Sequence, residues 1–156
     1  RAAAIGPVVG RECSSECDTM DAMNKLTSTT LQSNPLTHFR LKNLSALAQT
    51  TEDHISRLGM GLSMASGRVD ADWLPTPANY SEAEGDINAK QLRGRTLFKD
   101  DLTLWMALAL RHQTPSDYEE WRLILRSHWE RGVEMLAKVS AEEDDWLLVL
   151  KSCLPS

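Results

Sequence analysis

Positive charge, cysteine and aromatic residues are all in short supply in this chain. It carries 17 lysines and arginines against 22 acids, for a formal net charge of −5. That sign excludes a protein whose whole surface grips nucleic acid. Three cysteines, Cys13, Cys17 and Cys153, are an odd number and argue against a disulfide framework. Cys13 and Cys17 stand four apart, but the closest histidine is His38 and nothing nearby completes a zinc set. They read as free thiols in a loose tail. No apolar run approaches the roughly 20 residues that cross a bilayer. The stretch from Ala2 to Gly10 is too short and too broken by Gly and Pro for the core of a signal peptide. A cytoplasmic, soluble protein without a membrane partner is expected. A Gly-rich phosphate loop, a Cys-x-x-Cys pair, a Ser/His/Asp order and a two-metal nuclease cluster are all missing. Neither a stand-alone enzyme nor a bound cofactor or metal is expected.

The charge that is present is uneven. Residues 37–69 carry four basic and two acidic groups, and 90–139 carry nine and seven. Residues 70–89 carry five acids and no base, and 140–156 carry four acids and one base. Acidity thus gathers in one connection and at the C-terminal end, which leaves two modestly basic helical regions.

Periodicity predicts an all-α chain: a compact, single-domain bundle of about five helices with a long crossing loop. Residues 1–36 are rich in Ser, Thr, Asn and Ala and read as a poorly structured tail, with a weak helical turn near Met20 to Leu26; the helical domain spans 37–156. Asn34-Pro35 marks its start. Phe39, Leu41, Leu44 and Leu47 give a first helix near 37–48. Thr50 or Thr51, with Glu52 and Asp53 behind, caps a second that carries Ile55, Leu58, Leu62 and Ala65 on one face. Gly59 and Gly61 inside that helix each cost up to about 1 kcal/mol against Ala, tolerable if another backbone packs closely there. Between Gly67 and Ala89 no helical or strand pattern survives, and Trp73, Leu74 and Tyr80 are expected to pin this segment to the core. A third helix is predicted from Thr96 as its cap. Thr114 caps a fourth running about 115–138, and a capping box from Ser140 to Glu143 opens the fifth.

Five of the nine aromatics are tryptophans. Trp121 and Trp129 lie eight residues apart on the fourth helix, roughly 80° around its axis, so one is expected to face outward and to suit a subunit contact. Paired acids such as Asp100 with Asp101 and Glu119 with Glu120 sit in first turns, where the helix dipole accounts for them. His128, beside Trp129, reads as a core-edge histidine that could meet His112.

The stretch Lys90 to Gln113 is the most informative. Lys90, Arg93, Arg95 and Lys99 stand at the mouth of a helix that is apolar almost all round. Such a helix needs burial on several sides, while its first turn offers positive charge and free N–H groups to a phosphate. The residues alone fit equally well a buried helix with a solvated basic lead-in.

Three blocks tilt the balance: TEDHISRLGMGLSM at 51–64, KQLRGRTLFKDDLTLWMAL at 90–108 and HWERGVEML at 128–136. In order and separation they resemble the DndE family, small helical proteins of bacterial DNA phosphorothioation, over about 37–138. Thr96 to Phe98 and the His-x-x-Arg-Gly of His128, Arg131 and Gly132 are the most specific parts. The resemblance implies a helical protomer in a homotetramer that binds double-stranded DNA with a preference for nicks. It also implies work beside a sulfur-transfer enzyme and an ATPase as an accessory subunit. The family's basic turn, such as Lys-x-Arg-Thr-Gly, is replaced here by Ser45, Ala46, Leu47, Ala48 and Gln49, without a cation. The expected phosphate ligands are therefore Arg40, Lys42, Arg57, Lys90, Arg93, Arg95 and Lys99. The alternatives are a helical scaffold that bridges the modification enzymes, and a nickase with Asp100, Asp101 or His128 on a metal.

Overall fold

The structure is a computed structural model that describes residues 12–77 and 88–156, with side chains from Thr19 onward. Cys13, Cys17 and Tyr80, singled out above, lie outside the described residues or side chains. Seven helices and one two-stranded ribbon follow in the order α1 (Glu12–Ser28), β1 (Thr30–Gln32), α2 (Pro35–Ala48), α3 (Glu52–Ser66), β2 (Gln91–Arg93), α4 (Gly94–Phe98), α5 (Leu102–Leu110), α6 (Tyr118–Ser140) and α7 (Trp146–Cys153). The mostly helical architecture matches the sequence expectation, but the described residues form seven helices rather than five.

The helical body begins ahead of the expected boundary at residue 37. α1 occupies part of the expected tail, and its Leu26 is fully buried together with Leu31 of β1. The ribbon is antiparallel, with Thr30 opposite Arg93, Leu31 opposite Leu92 and Gln32 opposite Gln91. Its single inward pair, Leu31 and Leu92, joins the core, while its other side chains face out. This ribbon ties the segment that follows α1 to the residues just before α4.

α6 is the central element, with α1, α2, α3 and α7 packed against it. Because it is covered on several sides, Trp121 and Trp129 are both buried, which corrects the expectation that one faces outward. Each such side chain contributes on the order of 2–3 kcal/mol through burial. α3 crosses α6 where Gly59 meets Gly132.

Local signals explain most helix ends. Asn34 caps α2 by accepting from Leu36 N at 3.0 Å, with Pro35 at the first helical position. Thr51 caps α3 through His54 N. α6 is capped by Asp117, not Thr114: Asp117 Oδ1 accepts from Glu120 N at 2.9 Å, and Glu120 Oε2 accepts in return from Ser116 N at 2.7 Å. α7 starts at Asp145, which accepts from Leu147 N at 2.8 Å. Ser140 closes α6 instead of opening the next helix, and its hydroxyl donates to Ala137 O.

The expected third helix is broken in two. At Lys99 the backbone turns with φ 53° and ψ −135°, and Asp101 N–H donates to Phe98 O at 3.0 Å. Those angles belong to the first central position of a type II′ turn, a place that favours glycine. Thr96 consequently lies inside α4 and caps nothing.

Residues 67–77 are held by polar contacts more than by aromatics. Gln113 both donates to Val69 O and accepts from Val69 N. Ser127 donates to Ala71 O, and Thr76 N donates to Glu134 at 2.9 Å. Trp73 is half-buried and Leu74 exposed, so neither anchors the segment as expected. Among the described residues no helix is long and apolar enough to cross a membrane.

Candidate nucleic-acid interface

The seven cations expected to hold phosphates separate into two groups. Arg40 is spent on the fold: its Nη2 donates to Thr76 O at 3.0 Å and lies 3.4 Å from Glu134, with both side chains largely buried. Lys90 pairs with Glu52 at 2.9 Å, and the same carboxylate stands 3.4 Å from His38 Nε2. Arg57 is half-buried and donates to Thr96 O at 3.1 Å, clamping α3 to α4. These three hold elements together.

Lys42, Arg93, Arg95 and Lys99 are exposed and make no ion pair among the described residues. Lys42 stands on α2. The other three surround α4, from its cap position at Arg93 to the turn at Lys99. α4 is only five residues long. The available feature is therefore a cluster of three flexible cations, not the N-terminus of a long helix. The expected pillar also differs: Leu104 and Leu110 of α5 are 55% and 47% exposed, so α5 is a surface helix with one buried side.

A second polar centre joins α3 to α6. Arg131 Nε donates to Ser63 Oγ at 2.7 Å, and its Nη2 donates to Ser63 O at 2.7 Å and Gly67 O at 2.8 Å. Its Nη1 reaches Arg68 O at 2.6 Å. A guanidinium thus satisfies the carbonyls that α3 leaves open at its C-terminal end, where the dipole also favours a cation. Ser63 Oγ lies 2.9 Å from His128 Nδ1. The Ser–His contact has the spacing of a nucleophile and its base, but both residues are fully buried and admit no substrate. Burial, reinforced by the charge of Arg131 and by His112, pushes His128 down to about 4. It is a neutral core histidine.

Sequence reasoning missed Arg122, Arg126 and Glu130 on α6. They line a cavity of 600 Å³ with Gln32, Asn34 and Asn88. Glu130 is buried; its Oε2 accepts from Thr37 Oγ1 at 3.0 Å and from Asn34 N at 3.2 Å. Burial raises its carboxyl above the ordinary range despite those hydrogen bonds. The only sequence signal was the four-residue spacing of Arg122, Arg126 and Glu130, which on its own reads as a solvated helix face. Asp100 and Asp101 are exposed, and among the described residues no group of three or more His, Cys, Asp or Glu side chains could hold a metal.

No family model, no curated protein and no solved structure matches this chain.

Proposed function

We propose that this protein is an accessory DNA-binding subunit of a bacterial DNA phosphorothioation system, akin to the DndE family. The observation that carries the reading is the exposed cluster of Arg93, Arg95 and Lys99 around α4, free of ion pairs among the described residues. It falls inside the second of the three blocks on which the resemblance rests. Those blocks also contact one another: Gly59 meets Gly132, Arg57 reaches Thr96, and Arg131 reaches Ser63. The most specific residues of the resemblance are thus those through which α3, α4 and α6 pack together.

In this reading the protein binds duplex DNA, nicked or intact, beside a sulfur-transfer enzyme and an ATPase, and acts as a homotetramer. Each copy brings a small positive cluster on an acidic body, and symmetry gathers several onto one duplex. The exposed Leu104 and Leu110 of α5 supply apolar surface for that assembly. A gel-shift titration with nicked and intact duplexes at two salt concentrations tests it. Retardation that weakens steeply with salt is expected, and no binding at low salt rejects it.

One observation favours a scaffold instead. Leu147, Leu148 and Leu154 are exposed beside Glu142, Glu143, Asp144 and Asp145, a surface suited to a protein partner and hostile to DNA. Capture of the sulfur-transfer enzyme without DNA would support that role. A nickase gains little support, because His128 is sealed in the core.

A further inference from the structure

The outward face of the ribbon is polar and carries no carboxylate: Thr30, Gln32, Gln91 and Arg93 are all exposed, with Leu31 and Leu92 turned inward. At one end Arg93 leads into the α4 cluster. At the other, Gln32 lines the same cavity as Arg122 and Arg126. With about 3.4 Å of rise per residue, the ribbon spans roughly 7 Å between these ends. Adding the reach of an arginine at either end gives a strip long enough to follow several phosphates of one DNA strand.

Both arginines of α6 have capacity to spare. Arg122 is held by Glu119 at 2.9 Å, but this is a surface pair one turn apart with Glu119 mostly exposed. A phosphate oxygen competes with such a pair at little cost. Among the described residues Arg126 Nε is buried without a hydrogen-bond partner, and the nearest Glu130 oxygen is 3.8 Å away. Thr37 and Asn34 both donate to Glu130 Oε2, and Oε1 is the oxygen that faces Arg126 at this longer distance. Among the described residues, Arg93, Arg95, Lys99, Arg122 and Arg126 along the strip face Asp100, Asp101, Glu119 and Glu130, which leaves a local excess of one positive charge on a chain whose net charge is −5.

We infer that this strip is a duplex-DNA contact surface, in which Arg122 and Arg126 take phosphates on the far side of the ribbon from Arg93 and Arg95. The inference rests on the DNA-binding reading above and extends it to residues outside the expected set. A duplex fits better than an acidic protein. The ribbon's outer face has no apolar side chain to anchor a protein interface, and apolar groups (Pro35, Leu74 and Ala89) enter only at the cavity end, whereas Gln and Arg suit phosphates, sugars and base edges.

The test uses the full chain and a fluorescein-labelled duplex, with anisotropy titrations over a range of KCl concentrations. Arg122→Ala combined with Arg126→Ala is expected to weaken binding by about tenfold or more. It should also lower the slope of log K against log salt by about 1.8, at roughly 0.9 per phosphate lost. Arg122→Lys with Arg126→Lys should keep most of the affinity. Gln91→Glu adds a negative charge at an exposed ladder position without touching either arginine, and should weaken binding while leaving thermal unfolding unchanged. Unchanged affinity in Gln91→Glu and in the double Ala variant, while Arg93→Ala with Arg95→Ala still loses binding, overturns the strip and leaves the DNA reading standing. A wild-type chain that binds no duplex overturns both. Polyaspartate that competes as well as unlabelled duplex at equal charge overturns the assignment to DNA.

Discussion

Gly59 of α3 and Gly132 of α6 touch backbone to backbone. A methyl group on residue 59 would lie 2.8 Å from Gly132 C and 2.9 Å from Val133 N, and one on residue 132 would strike the Gly59 carbonyl. Neither neighbour is a flexible side chain that can move aside. The two glycines therefore set the distance of the crossing around which the core forms.

Gly132→Ala should destabilise the fold by about 3 kcal/mol or more through overpacking at a rigid contact. For a domain of this size that corresponds to a fall in Tm of roughly 6–12 °C. Gly61→Ala is the matched control. Its methyl would sit 3.8 Å from the Trp105 ring, an ordinary contact, so higher helix propensity should make it neutral or slightly stabilising. Calorimetry of the two variants decides; equal Tm values would mean that α3 and α6 do not meet here.

His128 gives stability a defined pH dependence. Its folded-state pKa of about 4 lies below the ordinary 6.5, so between those values the unfolded chain binds the proton and the folded chain does not. The contribution is complete above pH 6.5 and is lost as pH falls toward 4, up to about 3 kcal/mol. Glu130 works in the opposite sense, because its raised carboxyl favours the protonated folded form as pH falls. Comparing the wild type with His128→Gln cancels that second contribution. The variant should start less stable at pH 7 and show a flatter decline in urea-unfolding free energy from pH 7 to 5. Parallel declines would place the titrating group elsewhere.

The sequence was most legible where chemistry is local. Of the two threonines expected to cap α3, Thr51 does so. Asn34 with Pro35, read as the entrance to the folded part, instead starts α2 behind α1 and β1, whose Leu26 and Leu31 are buried. The close backbone expected at the two glycines of α3 is met at Gly59 but not at Gly61, which faces the Trp105 ring. The ribbon was not legible, because each strand has one apolar residue, Leu31 or Leu92, and shows no alternation; its partner also lies far along the chain. The break at Lys99 was hidden because neither Gly nor Pro announces it. Cations could be counted, but not their partners. Arg40 meets Glu134 and Lys90 meets Glu52 only after folding. Arg122 and Arg126 became visible only when β1 placed Gln32 beside them.

That division among the cations makes a prediction of its own. Arg40→Met strips a largely buried carboxylate, Glu134, of its counter-charge and frees Thr76 O, and should cost about 3 kcal/mol. Below its melting temperature the variant should still bind DNA with the wild-type salt slope. Arg93→Ala with Arg95→Ala should do the reverse, with Tm nearly unchanged and the slope lower by about 1.8. Unfolding scans and anisotropy titrations on the same preparations test both halves. A lower salt slope in Arg40→Met would return Arg40 to the phosphate ligands.

Lys99 sets stability against binding at a single residue. Its φ of 53° with ψ of −135° is a conformation that costs a non-glycine residue on the order of 1–3 kcal/mol, and its exposed side chain makes no hydrogen bond or ion pair among the described residues to offset this. Glycine would adopt the same turn without strain, although a more flexible unfolded chain returns part of the gain. Lys99→Gly should therefore raise stability by about 1 kcal/mol. Removing one exposed cation should at the same time weaken duplex binding several-fold at low salt and lower the salt slope by about 0.9. Lys99→Ala separates the two effects, since it loses the charge and keeps the strain: binding should fall equally and stability should not rise. If Lys99→Gly gains stability but binds DNA as well as the wild type, the cation at the turn has no part in holding phosphate, and the DNA contact reduces to the arginines.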